Sequence, residues 1–201
     1  MEIKTVKFVK SCSAIDNCPP LKYQEFAVVW RSNVGKSSLV NMLLWKKWIA
    51  RSSNKPGKTQ LINYFDIFND TGNNWYMVDL PWYWYAKAST QDRIKWMDTM
   101  YDYLTQRESL RRVFVLIDGN IPPQKIDIEF ILELVDEEIP FDIIITKIDK
   151  SKQKVLNQNI KSFKQELKSR SIMLPEFFLS SSDKWIWKKE ILKYIEYDLQ
   201  N

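Results

Sequence analysis

Trp30-Arg31-Ser32-Asn33-Val34-Gly35-Lys36-Ser37-Ser38 is the stretch whose reading decides the fold. A phosphate-binding loop needs Gly, four residues, Gly, Lys and then Ser or Thr, so that backbone N–H groups cradle an anion at a helix N-terminus. Every position fits except the first, which is Trp30. The apolar run Phe26-Ala27-Val28-Val29 precedes the loop, and the helix-like Ser38-Leu39-Val40-Asn41-Met42-Leu43-Leu44 follows it. That is the strand, loop and helix order the motif requires.

Outward from this loop the chain alternates strands and helices. Residues up to about Pro20 read as an extended lead-in that ends in the turn Asp16-Asn17-Cys18-Pro19-Pro20. Lys46 to Gln60 has no apolar period and reads as a long loop, the kind that tends to be functional. Leu61 to Phe68 and Trp75 to Leu80 alternate around the turn Asn69-Asp70-Thr71-Gly72-Asn73, which predicts a hairpin. Helical spacing of Ile94, Met97, Tyr101 and Leu104 predicts a helix from Thr90 to Arg107. Buried strands follow at Val113 to Asp118, Phe141 to Thr146 and Glu176 to Leu179. Helices are predicted at Lys125 to Glu138, Lys152 to Ser169 and Ile186 to Leu199, the second of them conspicuously basic. The expected fold class is α/β, with a six-stranded, mostly parallel sheet, one antiparallel strand and helices on both faces.

Composition bounds the function classes. The 201 residues suit one α/β domain, and 45% hydrophobic with 27% charged residues is ordinary for a globular chain. No run approaches the ~20 apolar residues that span a bilayer, and Met1 to Lys7 lacks the apolar core of a secretory signal. A cytoplasmic protein without a membrane partner is expected. Cys12 and Cys18, with no histidine in the chain, make no zinc set and read as two free thiols. The formal charge of +5 and pI near 9.0 favour an anionic partner such as RNA.

Four further segments follow the loop in a meaningful order. Thr59 lies where a hydroxyl can reach a magnesium ion and its backbone a terminal phosphate. Asp79 ends a strand, the place for a carboxylate that holds magnesium through water. Thr146-Lys147-Ile148-Asp149 ends a later strand, where the aspartate can accept from the N1–H and 2-amino groups of guanine. Ser180-Ser181-Ser182 ends the last strand and offers backbone N–H to the guanine oxygen. Taken singly these are a loop residue, a strand-end carboxylate, a helix cap and a turn. Together they stand at the carboxyl ends of strands, where open α/β sheets bind ligands.

At these residues the sequence resembles the EngB (YihA/YsxC) family of small bacterial GTPases, with a P-loop (Ras-like) fold. The resemblance runs from Pro19-Pro20 to the end of the chain and implies a single domain over 1–201, with 1–22 as its lead-in. It is carried by Arg31 to Leu39, Lys55-Pro56-Gly57-Lys58-Thr59-Gln60-Leu61-Ile62-Asn63, Val78-Asp79-Leu80-Pro81 with Tyr83 and Tyr85-Ala86-Lys87, and Thr146-Lys147 with Asp149. The second and third of these separate this family from other small GTPases.

The resemblance implies GTP/GDP binding and slow, magnesium-dependent GTP hydrolysis by a monomeric switch. It also implies a role in assembling the large ribosomal subunit, through the subunit or its rRNA, and a link to cell division and septation. The implied nucleotide contacts are Trp30, Arg31, Ser32, Asn33, Val34, Gly35, Lys36, Ser37 and Ser38; Gly57, Lys58, Thr59, Gln60 and Leu61; Asp79, Leu80, Pro81 and Trp82; Thr146, Lys147, Ile148 and Asp149; and Ser180, Ser181 and Ser182. Lys36 would meet the β- and γ-phosphates, Ser37 and Thr59 would ligate magnesium, and Asp79 would stand in its outer shell. Lys36, Thr59 and Asn33 would carry catalysis. Asn33 matches a position that helps coordinate potassium in related GTPases, a charge that could replace an arginine finger. No glutamine follows Trp82; Tyr83 stands there.

The departures from the family pattern share one form. Trp30, Trp82, Trp84, Trp185 and Trp187 all fall where the family has glycine. These backbones approach phosphate closely or adopt positive φ, and an indole suits neither. Glycine numbers only four in 201 residues, against a usual ~7%, while tryptophan numbers nine. We hypothesise a gene in which UGA encodes glycine, as in some bacterial lineages with a reassigned code, read here as if UGA meant tryptophan. UGG codons at 30, 82 and 84 would refute it. The sequence does not decide Trp45, Trp48 and Trp75, whereas Trp96 lies on a helix and reads as core. If the tryptophans are real and close the phosphate site, the alternative is a non-hydrolysing binding protein on the same fold. An ATP-using P-loop enzyme is disfavoured by Thr146-Lys147-Ile148-Asp149.

Overall fold

The computed structural model of the chain describes residues 1–31, 34, 61–80, 90–181 and 188–200, with backbone alone at 90–96 and 188. Seven strands form one sheet in the order β1-β3-β4-β2-β5-β6-β7. They are β1 (Ile3–Cys12), β2 (Glu25–Trp30), β3 (Ile62–Asn69), β4 (Trp75–Asp79), β5 (Leu110–Asp118), β6 (Phe141–Thr146) and β7 (Phe177–Leu179). Among the described residues the α-helices are α1 (Thr90–Gln106), α2 (Lys125–Asp136), α3 (Gln153–Ser169) and α4 (Lys188–Gln200).

Strand β3 is antiparallel to both of its neighbours, β1 and β4. The remaining neighbours pair in parallel, so β3 is the one strand of opposite direction, as expected. The count is seven rather than six because the lead-in contains β1. Two register shifts, between Ile3 and Thr5 and between Phe8 and Lys10, break the period of two that would have marked this strand. Its exposed lysines 4, 7 and 10 suit a sheet edge.

The central strands are apolar throughout because both faces are covered. Ala27 and Val29 of β2, Val113, Val115 and Ile117 of β5, and Ile143 and Ile145 of β6 point to one face. There they meet Tyr103 of α1, Ile131 of α2 and Leu156, Phe163 and Leu167 of α3. Phe26, Val28 and Trp30, with Phe114, Leu116 and Ile144, point to the other face and meet Ile191, Leu192 and Ile195 of α4. This alternation sets the strand register, since a shift of one residue would exchange the two cores. Trp75 is fully buried and packs edge-on to Phe26 at 5.4 Å, which assigns it to the core.

Two buried ionic clusters fasten the amino-terminal edge of the parallel strands. Glu25 is 0% exposed and accepts from Tyr64 Oη at 3.0 Å, Tyr103 Oη at 2.8 Å, Ser109 Oγ at 2.8 Å and Arg107 Nε at 2.8 Å. Arg112 joins β5 to α4 through Asp198 at 2.5 Å and to β6 through Asp142 at 3.1 Å. Cys12 and Cys18 are unbridged, and burial, then the neighbouring Cys18, pushes the Cys12 thiol up to about 12. Among the described residues no helix is long and apolar enough to cross a membrane.

Candidate functional site

The opposite edge gathers the chemistry. In the order β4, β2, β5, β6, β7 the strands end at Asp79, Trp30, Asp118, Thr146 and Leu179, in parallel register. Strand β2 lies between β4 and β5, so successive connections leave it in opposite directions and open the crevice where such sheets bind ligands.

At the end of β6, the Thr146 hydroxyl lies 2.6 Å from the Val34 carbonyl oxygen and 3.1 Å from that of Ile117. A hydroxyl has one proton to give, and the shorter contact takes it to Val34. Thr146 thereby ties the end of β6 to Val34 of the expected phosphate loop. Lys147 follows with φ +59°, a left-handed backbone that costs a side chain energy. The cost is offset by Lys147 Nζ on Asp118 Oδ2 at 2.7 Å and by the Ile148 N–H donated to the Ser180 carbonyl at 3.1 Å. Asp118 also accepts the Asn120 N–H at 3.0 Å, which orients it toward the lysine.

Asp149 comes next, its side chain 7% exposed. Oδ2 takes Lys150 Nζ at 3.1 Å, while the buried Oδ1 has no hydrogen-bond partner at normal length among the described residues. The Ser181 hydroxyl beside it, and secondarily Lys150, hold the carboxyl below the usual carboxylate range. An ionised acceptor is chemically suited to the paired N–H donors of a guanine edge. Ser180 and Ser181 are buried at the end of β7, and the Ser180 N–H is donated to Ile145 O at 2.6 Å.

Asp79 is 4% exposed at the end of β4. Asn63 on β3 donates its amide to Asp79 Oδ2 at 3.4 Å and to the Leu61 carbonyl at 3.2 Å. Leu80 continues the strand by donating its N–H to Val28 O at 3.0 Å. Among the described residues no group of three or more His, Cys, Asp or Glu could hold a metal. One strand-end carboxylate with hydroxyl and phosphate oxygens is the hard-oxygen set that suits magnesium, which keeps several waters. The donor chemistry fits that ion and does not fit a carboxylate cage.

Arg31, the residue after β2, has an ion partner within the fold. Its Nε lies 3.1 Å from Asp127 Oδ1, a carboxylate 1% exposed at the start of α2, so this side chain anchors the loop to a helix. Trp30 is the last residue of β2 and packs in the second core. Positive φ among described non-glycine residues occurs only at Glu138, Lys147 and Ser171, so Trp30 is not in conflict with its backbone angle. Of the expected site, Ser32, Asn33, Gly35, Lys36, Ser37, Ser38, Gly57, Lys58, Thr59, Gln60, Pro81, Trp82 and Ser182 lie outside the described residues, as do Trp84, Trp185 and Trp187.

Sequence reading missed Asp118 and Gly119. A Cβ on Gly119 would stand 2.7 Å from Leu156 and 3.1 Å from the Thr146 carbonyl, so β5 and β6 close here only around glycine. Asn159 of α3 donates to Gly119 O at 2.9 Å, and Ser151 bonds Asn120. The available signal was Asp-Gly-Asn at the end of a buried strand adjacent to Thr146.

Comparison with known proteins agrees with this geometry. The family model of 50S ribosome-binding GTPases matches residues 25–173. A probable GTP-binding protein EngB of Christiangramia forsetii is 46% identical over 98% of this chain and 97% of its own. The Bacteroides fragilis protein of the same name is 44% identical over 98% and 96%. Among solved structures, a probable GTP-binding protein EngB is similar with TM-score 0.62 at 22% identity, covering 88% of this chain and 98% of that one. Aquifex aeolicus Era bound to GDP and aluminium fluoride is similar with TM-score 0.69 at 24% identity, covering 87% and 56%. The chain belongs to the EngB family of P-loop GTP-binding proteins, and it is a GTPase.

Proposed function

We propose that this GTPase is a switch acting in large ribosomal subunit assembly in the cytoplasm, as a monomer formed by one domain over 1–201, and that normal cell division and septation depend on it. The observation that supports the nucleotide side of the reading is the ionised Asp149 carboxylate beside Ser181, just beyond a strand whose Thr146 bonds Val34. The description of the matching family as 50S ribosome-binding supports the ribosomal side.

In this reading Asp149 accepts from guanine N1–H and the 2-amino group, and the Ser180 to Ser182 turn faces the guanine oxygen. Lys147 is held by Asp118 under the base, and Lys36 neutralises the β- and γ-phosphates. Ser37, Thr59 and Asp79 would hold magnesium, which would supply charge neutralisation at the phosphates. Asn33 would help hold a potassium ion. Tyr83 replaces the water-orienting glutamine of other GTPases, so intrinsic turnover is slow. The segments around Thr59 and Trp82 order on the γ-phosphate and relax after hydrolysis.

Sedimentation with purified large ribosomal subunits in GTP and in GDP tests the reading. Co-sedimentation that depends on the nucleotide is expected. Failure in both states would remove the ribosomal role and leave the GTPase intact.

A further inference from the structure

Helix α3 (Gln153–Ser169) divides its surface sharply. Leu156, Phe163 and Leu167 enter the core. At 3.6 residues per turn, Lys154, Asn157, Lys161, Lys164, Gln165 and Lys168 fall within a roughly 100° arc on one flank. Lys154, Lys161 and Lys168 are exposed, and Lys164 is half-buried with its Nζ 4.4 Å from the Phe177 ring centre. The helix has a single acidic residue, Glu166, which lies on the other flank and pairs with Arg170 at 2.8 Å. None of the four lysines has a carboxylate partner among the described residues. They span about 21 Å in a straight line.

From this geometry we infer that the lysine flank of α3 is a docking surface for the phosphate backbone of RNA. Four unneutralised ammonium groups in line meet several phosphates, while Asn157 and Gln165 between them donate neutral hydrogen bonds to phosphate or 2′-hydroxyl oxygens. A protein interface would not be built this way, because the centres of such interfaces are depleted of lysine. A bilayer surface needs an apolar face turned outward, and the apolar face of this helix is already spent in the core. The inference rests on the ribosomal reading for its biological partner, but its physical content is testable without it.

The test uses the full chain with Lys154, Lys161, Lys164 and Lys168 changed to Gln, beside a control with the edge-strand residues Lys4, Lys7 and Lys10 changed to Gln. Binding to a fluorescein-labelled rRNA hairpin is titrated from 50 to 200 mM KCl, and GTP binding verifies the fold. The slope of log K against log salt is expected to shrink by about 3 in the α3 variant, since each phosphate contact contributes ~0.7–0.9. At 100 mM KCl the affinity falls by at least tenfold, while the β1 control stays near the parent. Equal slopes in the α3 variant and the parent overturn the inference, as does an equal loss in the β1 control. Binding only to phosphatidylserine vesicles also overturns it. Parent protein that binds the hairpin through these lysines but does not sediment with large subunits refutes the ribosomal role and leaves the RNA surface standing. Sedimentation unaffected by the four substitutions does the reverse.

Discussion

Changing Thr146 to Val keeps the shape of a fully packed side chain and deletes one hydroxyl. In the parent that hydroxyl lies 2.6 Å from the Val34 carbonyl and 3.1 Å from that of Ile117, with Thr146 and Val34 only 3% and 1% exposed. Water does not replace a partner lost at such a site, so among the described residues the Val34 carbonyl is left buried without a partner. Leaving a buried acceptor unsatisfied costs about 1–3 kcal/mol. Because Val34 belongs to the phosphate loop, the cost reaches nucleotide binding wherever the loop is held only in the bound state, and it then appears as a roughly 5- to 150-fold weaker affinity. Any part that falls on the free scaffold appears as a lower urea midpoint.

Equilibrium titration with a fluorescent GDP and urea unfolding of the free protein together capture the whole cost. Thr146→Ser, which keeps the hydroxyl and removes one methyl group, is the control. The valine variant is expected to lose more than the serine variant in the sum of the two measurements. If Val and Ser are indistinguishable in both, Thr146 is a packing residue and the link between guanine strand and phosphate loop is refuted.

Asp149→Asn replaces an ionised acceptor with an amide that also donates; GTP affinity is expected to fall at least 100-fold while xanthosine triphosphate gains, and unchanged GTP preference in a competition assay would contradict the base-reading role. The depressed Asp149 pKa gives a pH signature. Its contribution to stability is fully present above the unfolded value near ~3.9 and is lost as pH falls through the lower folded value. Ser181→Ala moves that loss upward toward ~3.9, which carboxyl carbon NMR detects; an unmoved titration would dissociate Ser181 from Asp149. Glu25→Gln leaves Arg107 buried without its charge partner and is expected to lower unfolding stability by about 3–5 kcal/mol, with GTP affinity of the folded protein unchanged. A loss below 1 kcal/mol in urea would overturn that reading of the cluster. Restoring glycine at 30, 82, 84, 185 and 187 together is expected to increase GTP-induced thermal stabilisation, although removing the buried Trp30 indole lowers the free protein's melting temperature. Equal GTP-induced shifts in both proteins would show that the tryptophans do not obstruct the site.

What could be read from the chain alone depended on how local the cause was. Strand β6 was placed at Phe141 and Thr146 to the residue, because a short run of isoleucines between a proline and a polar strand end has one plausible reading. Helix α2 was extended to Glu138 because no glycine marks its end, yet it stops at Asp136. Glu138 takes φ +54° there, and the Ile139 N–H closes on Leu134 O at 2.9 Å, a glycine-type cap made without glycine. The order of strand ends was visible, so Asp79, Thr146 and Asp149 could be grouped. Their partners could not. Lys147 pairs with Asp118 across neighbouring strands and Arg31 with Asp127 across 96 positions, and both pairs exist only once parallel register has been set. The motif grouped Arg31 with the nucleotide contacts and gave no sign of its ion pair with Asp127.

The two edges of the sheet divide the energetic labour. At the amino-terminal edge, buried charges are paired several times over, with four side chains converging on Glu25 and two carboxylates on Arg112. Removing one partner there strands a buried charge, which raises the cost of any local opening. At the carboxyl-terminal edge the described side chains meet fewer charged partners: Thr146 bonds Val34, Lys147 pairs with Asp118 and Asn63 bonds Asp79. In the proposed switch the segments around Thr59 and Trp82 respond to the γ-phosphate, and they follow β2 and β4 in the chain. A switch needs this inequality, since a ligand shifts a conformational equilibrium only by its differential affinity for the two states. In that reading a γ-phosphate and its ion act at the carboxyl-terminal edge and leave the paired clusters at the other edge undisturbed. Substitutions at Glu25 should thus change melting without changing the preference for GTP over GDP, whereas substitutions at Thr146 should change that preference.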